Sequence, residues 1–367
     1  MAQGHLLPML DIGRLLAQRG MIVTMVTTPM NAGRIQKSIA RAIELGQPIR
    51  LVQVSFPGKE VGFADGVENI DMVHSSEPGG LPQIHHCSKQ DGRISGEPLI
   101  FEYFTVPGLT EKVEFTKAQL PLQRDESWTE IGESMLEANQ ASYGVVINTF
   151  EELESAFVEQ YRKLTKAWCI GPVSLSHKEE SDKAERGNKA SINEQQCLKW
   201  LDSQETNSVI YACHGSISTV KCPELIESIG GFLTHCGWNS TIEGISAGVP
   251  LITLPLLVDQ FSNEKLAVQI LKIRVSLRID KPTNIGDEKS GFLLKKEHVK
   301  NEKKRAQEFG DEAKKAVEVG GSSYLNITSL IQDIIQQSHD LKCELEVVLS
   351  LCSMTMTMVY PHFPLVL

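Results

Sequence analysis

The clearest indication of the fold lies in residues 230–265, GGFLTHCGWNSTIEGISAGVPLITLPLLVDQFSNEK. Apolar residues 231–234 predict a short buried strand, and the pattern around residues 241–247 predicts a helix. Residues 249–255 are apolar and β-branched again, which predicts a second strand. A strand, a helix and a strand in succession are typical of a parallel α/β sheet.

A tight polar loop, residues 235–240 (HCGWNS), connects the first strand to the helix. Asn239 and Ser240 are residue types that cap helix N-termini, so we expect the helix to begin there. The N–H groups of a helix start, beside the imidazole of His235, form a site suited to a phosphate or diphosphate.

Asp259 and Gln260 follow the second strand at its carboxyl end. Ligands bind at this edge of open α/β sheets. A carboxylate beside an amide offers both hydrogen-bond acceptors and donors, which suits sugar hydroxyls.

The same alternation of strands and helices extends along much of the chain. Strands are predicted at residues 22–28, 50–56, 143–148 and 208–213, and helices at about residues 12–19, 151–163, 197–201 and 296–318.

Two segments interrupt this alternation and suggest how the chain divides. Residues 74–98 have no usable period and are read as a long loop, and residues 177–196 are highly charged and are read as a linker or surface loop. We therefore predict an N-terminal domain at 1–195, a second domain at 196–340 and an atypical apolar tail at 341–367. The tail contains polar residues and two prolines, which favours an irregular terminus over a membrane anchor.

Composition excludes several classes of protein. The 367 residues suffice for two domains, and a formal net charge of −10 argues against nucleic-acid binding. The eight cysteines are scattered without a CxxC pair, which favours a reducing, cytoplasmic location. The first twenty residues lack the pattern of a secretory leader.

The cluster at 230–265 also resembles a known family. Thr234–Ser240, Glu243, Gly248–Pro250, Pro255 and Asp259–Gln260 are similar in identity and spacing to the signature box of plant UDP-dependent glycosyltransferases. Residues 2–20, 208–218 and 302–326 are similar to other parts of that family. The resemblance implies a GT-B architecture, with two Rossmann-like domains facing a cleft, both incomplete here.

The resemblance also assigns roles to residues. His5 would be the general base that removes the proton of the acceptor hydroxyl, since a neutral imidazole titrates in a useful range. A UDP-sugar would be the co-substrate, with no metal or other cofactor. Its diphosphate would be held by Ser216, His235, Asn239 and Ser240, its ribose by Glu243 and its sugar by Asp259 and Gln260, while Trp238 completes the donor-binding box. A glutamine at the last position suggests glucose.

The sequence departs from the family pattern in three places. The Trp-Ala-Pro-Gln segment that stacks on uracil is missing, and the four tryptophans lie elsewhere, at 128, 168, 200 and 238. The strand that precedes the His5 turn and the aspartate that orients the histidine are missing too. Residues 74–98 replace the segment that holds this aspartate, and Asp91 is the only carboxylate near their middle. These gaps indicate a truncated chain with internal deletions.

We therefore expect an enzyme that transfers a sugar, glucose by preference, with inversion to a hydroxyl of a plant small molecule such as a flavonoid or terpenoid. A catalytically inactive, truncated relic of the family is the alternative. We expect a cytoplasmic monomer that binds neither nucleic acid nor membrane. His85, His86 and Cys87 are read as loop residues rather than metal ligands, and Cys236 is read as a packing residue rather than a nucleophile.

Overall fold

A computed structural model describes residues 3–56, 58, 66, 68, 103–106, 112–116, 119, 137, 141–176, 194–205, 208–213, 215, 231–256, 259–276, 299–341, 347–350, 357–359 and 364–366. The chain forms two compact units. The first comprises Met1–Gln83, Met135–Cys197 and Ala313–Leu367, and the second comprises Ile84–Ser134 and Leu198–Glu312. The two units do not coincide with the predicted domains 1–195 and 196–340 and the predicted tail 341–367. Those domain boundaries stay a prediction.

The described helices and strands follow one another along the chain as expected for an α/β protein. The helices are α1 Gln3–Gln18, α2 Pro29–Glu44, α3 Glu151–Arg162, α4 Glu194–Asp202, α5 Trp238–Ser246, α6 Gln260–Lys265, α7 Val299–Val317 and α8 Ser322–Leu341. The strands are β1 Val23–Thr27, β2 Ile49–Gln53, β3 Tyr103–Thr105, β4 Glu114–Thr116, β5 Gly144–Ile147, β6 Lys166–Cys169, β7 Ile210–Cys213, β8 Gly231–Thr234, β9 Leu251–Thr253, β10 Arg274–Ser276, β11 Val347–Ser350, β12 Thr357–Val359 and β13 Pro364–Val366.

The main sheet of the first unit has the strand order β2-β1-β11-β12-β13-β5-β6. Strands β1 and β2 are parallel, as are β5 and β6, while β12 runs antiparallel to both β11 and β13. The prediction that the tail is irregular is therefore wrong in part. The backbone groups of a central strand need partners on both sides, and the tail supplies one side of β1.

The core of the first unit lies between this sheet and its helices. Leu6, Met9 and Leu16 of α1 are fully buried, and α8 contributes Leu330 to the same cluster. Helix α2 places Ile35 and other apolar residues against it at helical spacing. Burial of this apolar surface fixes α1 against β1.

The second unit contains a four-stranded sheet in the order β10-β9-β8-β7, with every neighbouring pair parallel. A short antiparallel ribbon of β3 and β4 belongs to the same unit, where Phe115 packs against the fully buried Phe261. Among the helices that the structure describes, none is long and apolar enough to cross a membrane.

Candidate functional site

The predicted site loops lie side by side at the carboxyl edge of the second unit's sheet. The backbone N–H of His235 donates to the carbonyl of Cys213 at 3.1 Å, and the N–H of Leu254 donates to the carbonyl of Thr234 at 2.9 Å. The loops that follow β7, β8 and β9 therefore leave the sheet together. This is the edge at which parallel α/β sheets bind ligands.

Two glycines lie close to the Nε2 end of the His235 ring. A Cβ atom on Gly215 would lie 2.7 Å from both Nε2 and Cδ2 of the imidazole, and one on Gly237 would lie 2.4 Å from Nε2. Both distances are too short for any side chain, so the two glycines are required by the ring's position. The ring is half-buried, and its Nδ1 lies 3.3 Å from the carbonyl oxygen of Cys213.

Helix α5 begins earlier than the sequence predicts. Cys236 has a φ of 64°, in the left-handed region, and the N-cap is Gly237, whose carbonyl accepts from the N–H of Thr241 at 2.9 Å. Asn239 and Ser240 therefore lie within the first turn, and the prediction that they cap the helix is wrong. The left-handed residue turns the chain so that the helix starts at once after Gly237.

Cys236 itself is buried, as expected for a packing residue. Its side chain is 1% exposed, and its thiol donates to the carbonyl of Thr234 at 3.6 Å. Its backbone N–H donates to Oγ1 of Thr234 at 3.1 Å. These contacts hold the loop in its tight turn.

Ser240 faces the end of β7 across the helix start. Its Oγ lies 3.8 Å from Sγ of Cys213, a residue that the sequence analysis did not single out. A hydrogen bond from His235 lowers the pKa of the Cys213 thiol, and this effect outweighs the opposing effect of burial. Cys213, His235 and Ser240 thus form one polar cluster at the loop.

The pair Asp259–Gln260 is connected to this loop through Asn263. The Asn263 side-chain amide donates to the carbonyl of Cys236 at 2.9 Å and to Oδ2 of Asp259 at 3.0 Å. The backbone N–H of Leu256 donates to Oε1 of Gln260 at 2.7 Å, which orients that amide. Asn263 therefore joins the two predicted halves of the donor site, through Cys236 on one side and Asp259 on the other.

Other predicted donor residues lie on α5. Trp238 and Asn239 are half-buried in its first turn, and Glu243 is exposed one turn later. Ser216 lies outside the described residues.

The predicted base lies in the other unit. His5 is exposed in the first turn of α1, whereas the sequence pattern placed it in a turn ahead of the helix. The helix includes it because the apolar residues Leu6, Met9 and Leu10 continue the buried face of α1 almost to its start.

Sequence reasoning missed Cys213, Gly215 and Asn263. Asn263 stands four residues after Asp259, a spacing that brings two side chains together on one helix face, so that signal was available. Gly215 and Cys213 are adjacent to the loop only through strand pairing, which the local sequence does not reveal.

A metal centre finds no support among the described residues, where no group of three His, Cys, Asp or Glu side chains could hold an ion. His85, His86, Cys87 and Asp91 lie outside those residues. The expectation that no metal is needed stays a prediction.

Comparison with known proteins identifies the family. The family model for UDP-glucoronosyl and UDP-glucosyl transferase matches residues 227–279, the loop and strands described above. UDP-glycosyltransferase 73C9 of Barbarea vulgaris is 38% identical over 470 residues, covering 92% of this chain and 95% of the relative. This chain belongs to the UDP-glycosyltransferase family. UDP-glycosyltransferase 73C5 of Arabidopsis thaliana matches equally well, at 38% identity over 471 residues.

Solved glycosyltransferase structures agree with this assignment. UGT73P12 of Glycyrrhiza uralensis, complexed with glycyrrhetinic acid 3-O-monoglucuronide, has a TM-score of 0.73 at 25% identity and covers 93% of this chain and 96% of its own. UGT89C1 of Arabidopsis thaliana, complexed with quercetin, has a TM-score of 0.61 at 21% identity, covering 90% of this chain and 96% of its own. The predicted GT-B fold class and plant glycosyltransferase family are confirmed.

The comparison also confirms that this glycosyltransferase is shortened internally. The alignment with the Barbarea relative is 470 positions long, whereas the chain has 367 residues, so more than a hundred aligned positions hold no residue here. Because 95% of the relative is nevertheless covered, the missing positions lie within the matched region.

We expect the thiol of Cys213 to react faster than the thiol of Cys169. Its thiol has a lowered pKa and is partly exposed, whereas burial raises the pKa of the Cys169 thiol to about 12. Since the thiolate is the nucleophile, iodoacetamide at pH 8 should label Cys213 on the order of a thousand times faster. Peptide mass spectrometry on the native protein measures both rates, and similar rates would contradict the arrangement described for His235.

Proposed function

We propose that the chain transfers glucose from UDP-glucose to a hydroxyl of a plant small molecule, with inversion at the anomeric carbon. The observation that supports this proposal best is the pair of Asn263 hydrogen bonds that joins the His235 loop to Asp259, next to Gln260. A diphosphate at the helix start and a hexose beside the carboxylate and amide would then be neighbours, as they are in a nucleotide sugar.

The proposed donor site rests on the start of α5. The N–H groups in the first turn of a helix have no carbonyl one turn earlier to bind, and the helix dipole adds partial positive charge there. Together with the His235 imidazole and the Ser240 hydroxyl, this turn would hold the diphosphate. As UDP leaves, the same groups would stabilise its developing charge.

The proposed reaction is one direct displacement. The acceptor oxygen forms a bond to the anomeric carbon while the bond from that carbon to the diphosphate oxygen breaks. The acceptor proton passes to the imidazole of His5, and the electron pair of the broken bond leaves with UDP. Glu243 would bind the ribose hydroxyls of the donor.

The acceptor class is proposed from the family. One solved relative, UGT89C1, is complexed with quercetin, a flavonoid, and another, UGT73P12, with a glycyrrhetinic acid glucuronide, a terpenoid derivative. We propose a flavonoid or terpenoid hydroxyl here, with the enzyme working as a cytoplasmic monomer without a metal cofactor.

Titration of the purified chain with UDP-glucose by calorimetry is the first test. We expect 1:1 binding in the micromolar range, and UDP should slow the labelling of Cys213 because that thiol adjoins the diphosphate site. A relative such as UDP-glycosyltransferase 73C5, which retains the positions missing here, is the matched positive control.

The calorimetric titration distinguishes a functional donor site from an inactive relic of the family. A folded, monodisperse sample that binds neither UDP nor UDP-glucose would contradict the donor-site proposal and favour an inactive relic. Binding of UDP-galactose in preference to UDP-glucose would contradict the choice of sugar while leaving the site intact.

A further inference from the structure

The tail strand β11 occupies a central place in the first unit's sheet. It pairs in parallel with β1 over four positions, from Val23 opposite Val347 to Val26 opposite Ser350. The N–H of Val347 also donates to the carbonyl of Ile22 at 2.8 Å. In the described sheet, the tail strands are the connection between the β1–β2 pair and the β5–β6 pair.

Strand β11 also forms part of the surface on which α1 lies. Val347 and Leu349 are 2% and 0% exposed, as expected for alternate residues on one buried face. A Cβ atom on Gly13 would lie 3.1 Å from Cδ1 of Leu349 and 2.8 Å from Sδ of Met25. Helix α1 therefore approaches β1 and β11 closely at Gly13, where there is no side chain to keep it away.

The position of α1 determines the position of His5. His5 stands eight residues before Gly13 on the same helix, which is about 12 Å along its axis at 1.5 Å per residue. A change of tilt at the Gly13 contact is therefore carried to the imidazole.

We propose that β11 holds α1 in place for catalysis and that Leu349 is a positioning residue for His5. This inference rests on the proposed function, in which His5 is the base. It assigns the apolar tail a role in transfer that is separate from donor binding, since the donor residues belong to the other unit. Leu349 contacts neither substrate in this proposal and acts only through α1.

The test compares Leu349→Ala with Leu349→Ile in the full chain. Leu349→Ala removes the contact with α1, and a misplacement of about 1 Å at a reacting group can cost roughly 100-fold in rate, so we expect kcat to fall 10- to 100-fold. The Kd for UDP-glucose should stay within about twofold of the wild type. Leu349→Ile preserves the volume and should restore most of kcat.

Hydrogen exchange gives a readout that does not depend on activity. Amide protons of residues 3–18 should exchange faster in Leu349→Ala, while those of residues 231–276 should not change. Leu164→Ala is the matched control, because Leu164 is 83% exposed in the same unit. If the alanine variant fails to fold, Leu349→Val provides a milder loss of the same contact.

Two results would overturn the proposal. One is a folded Leu349→Ala variant with unchanged kcat and unchanged exchange in α1. The other is faster exchange both in α1 and in residues 231–276, together with a fall in kcat that only matches the fall in the folded fraction. That result would indicate a general loss of stability. If the wild type itself transfers no glucose, the proposed function fails. Amide hydrogen exchange of residues 3–18 in the wild type and in Leu349→Ala then decides whether the tail supports α1.

Discussion

Replacement of His5 by alanine is expected to lower kcat for an alcohol acceptor by about 10²- to 10⁴-fold, the usual contribution of a positioned general base. The imidazole lies exposed in the first turn of α1, and the donor residues lie in the other unit. The Kd for UDP-glucose should therefore stay unchanged. Calorimetry and initial rates on the same preparation measure the two quantities.

The loss of rate in His5→Ala should depend on the acidity of the acceptor hydroxyl. An acidic acceptor such as 4-nitrophenol is already partly deprotonated at neutral pH, so it needs the base less. We expect His5→Ala to lose far more rate with an aliphatic alcohol than with 4-nitrophenol. His5→Gln is the matched control, because it keeps a polar side chain that does not take up a proton. An equal loss with both acceptors would show that His5 acts in binding or in helix structure instead.

Single helices and strands could be predicted from the sequence more readily than the pairing of the tail with β1. The strand 231–234 and the long helix near 296–318 were predicted from patterns confined to their own residues, and the structure contains both. The pairing of Val23 with Val347 joins residues more than three hundred positions apart. No local pattern specifies such a partner, so the tail's apolar residues gave no indication of register.

Helix α2 was missed for a different reason. Its buried residues include Ile35, Ile39 and Ala42, at the correct spacing, but they are separated by polar and small residues and follow directly after a strand that ends at Pro29. In the structure that proline is the first residue of the helix, where its missing N–H has no cost. Pro29 therefore marks both the end of the predicted strand and the start of the helix.

The candidate site shows a similar division. The residue types at 235–240 and 259–260 indicated an anion site beside a sugar site, and the hydrogen bonds of Asn263 connect the two loops. The start of α5 was misplaced because Cys236 adopts a left-handed conformation that is uncommon for a residue with a side chain. That conformation follows from the buried contacts of Cys236 with Thr234, which become visible only in the folded chain.

Gly237→Ala is expected to weaken UDP-glucose binding by about 10- to 100-fold, although the substitution adds a single methyl group. The added Cβ would lie 2.4 Å from Nε2 of His235, and a Cβ on Gly215 would lie 2.7 Å from the same atom. The imidazole must therefore shift, which would take it out of the position from which we propose that it binds the diphosphate. Loss of a hydrogen bond to a charged group costs about 1.5–3 kcal/mol, which corresponds to that range.

Two control variants separate displacement of His235 from a general effect of the substitution. Gly33→Ala adds a methyl to a helical glycine with nothing within 4 Å and should leave binding unchanged. In a His235→Ala background, Gly237→Ala should add little further loss, because the ring that it displaces is already gone. Additive losses in the double variant would mean that Gly237 contributes through its own backbone, which would contradict displacement of His235 as the cause of the weaker binding.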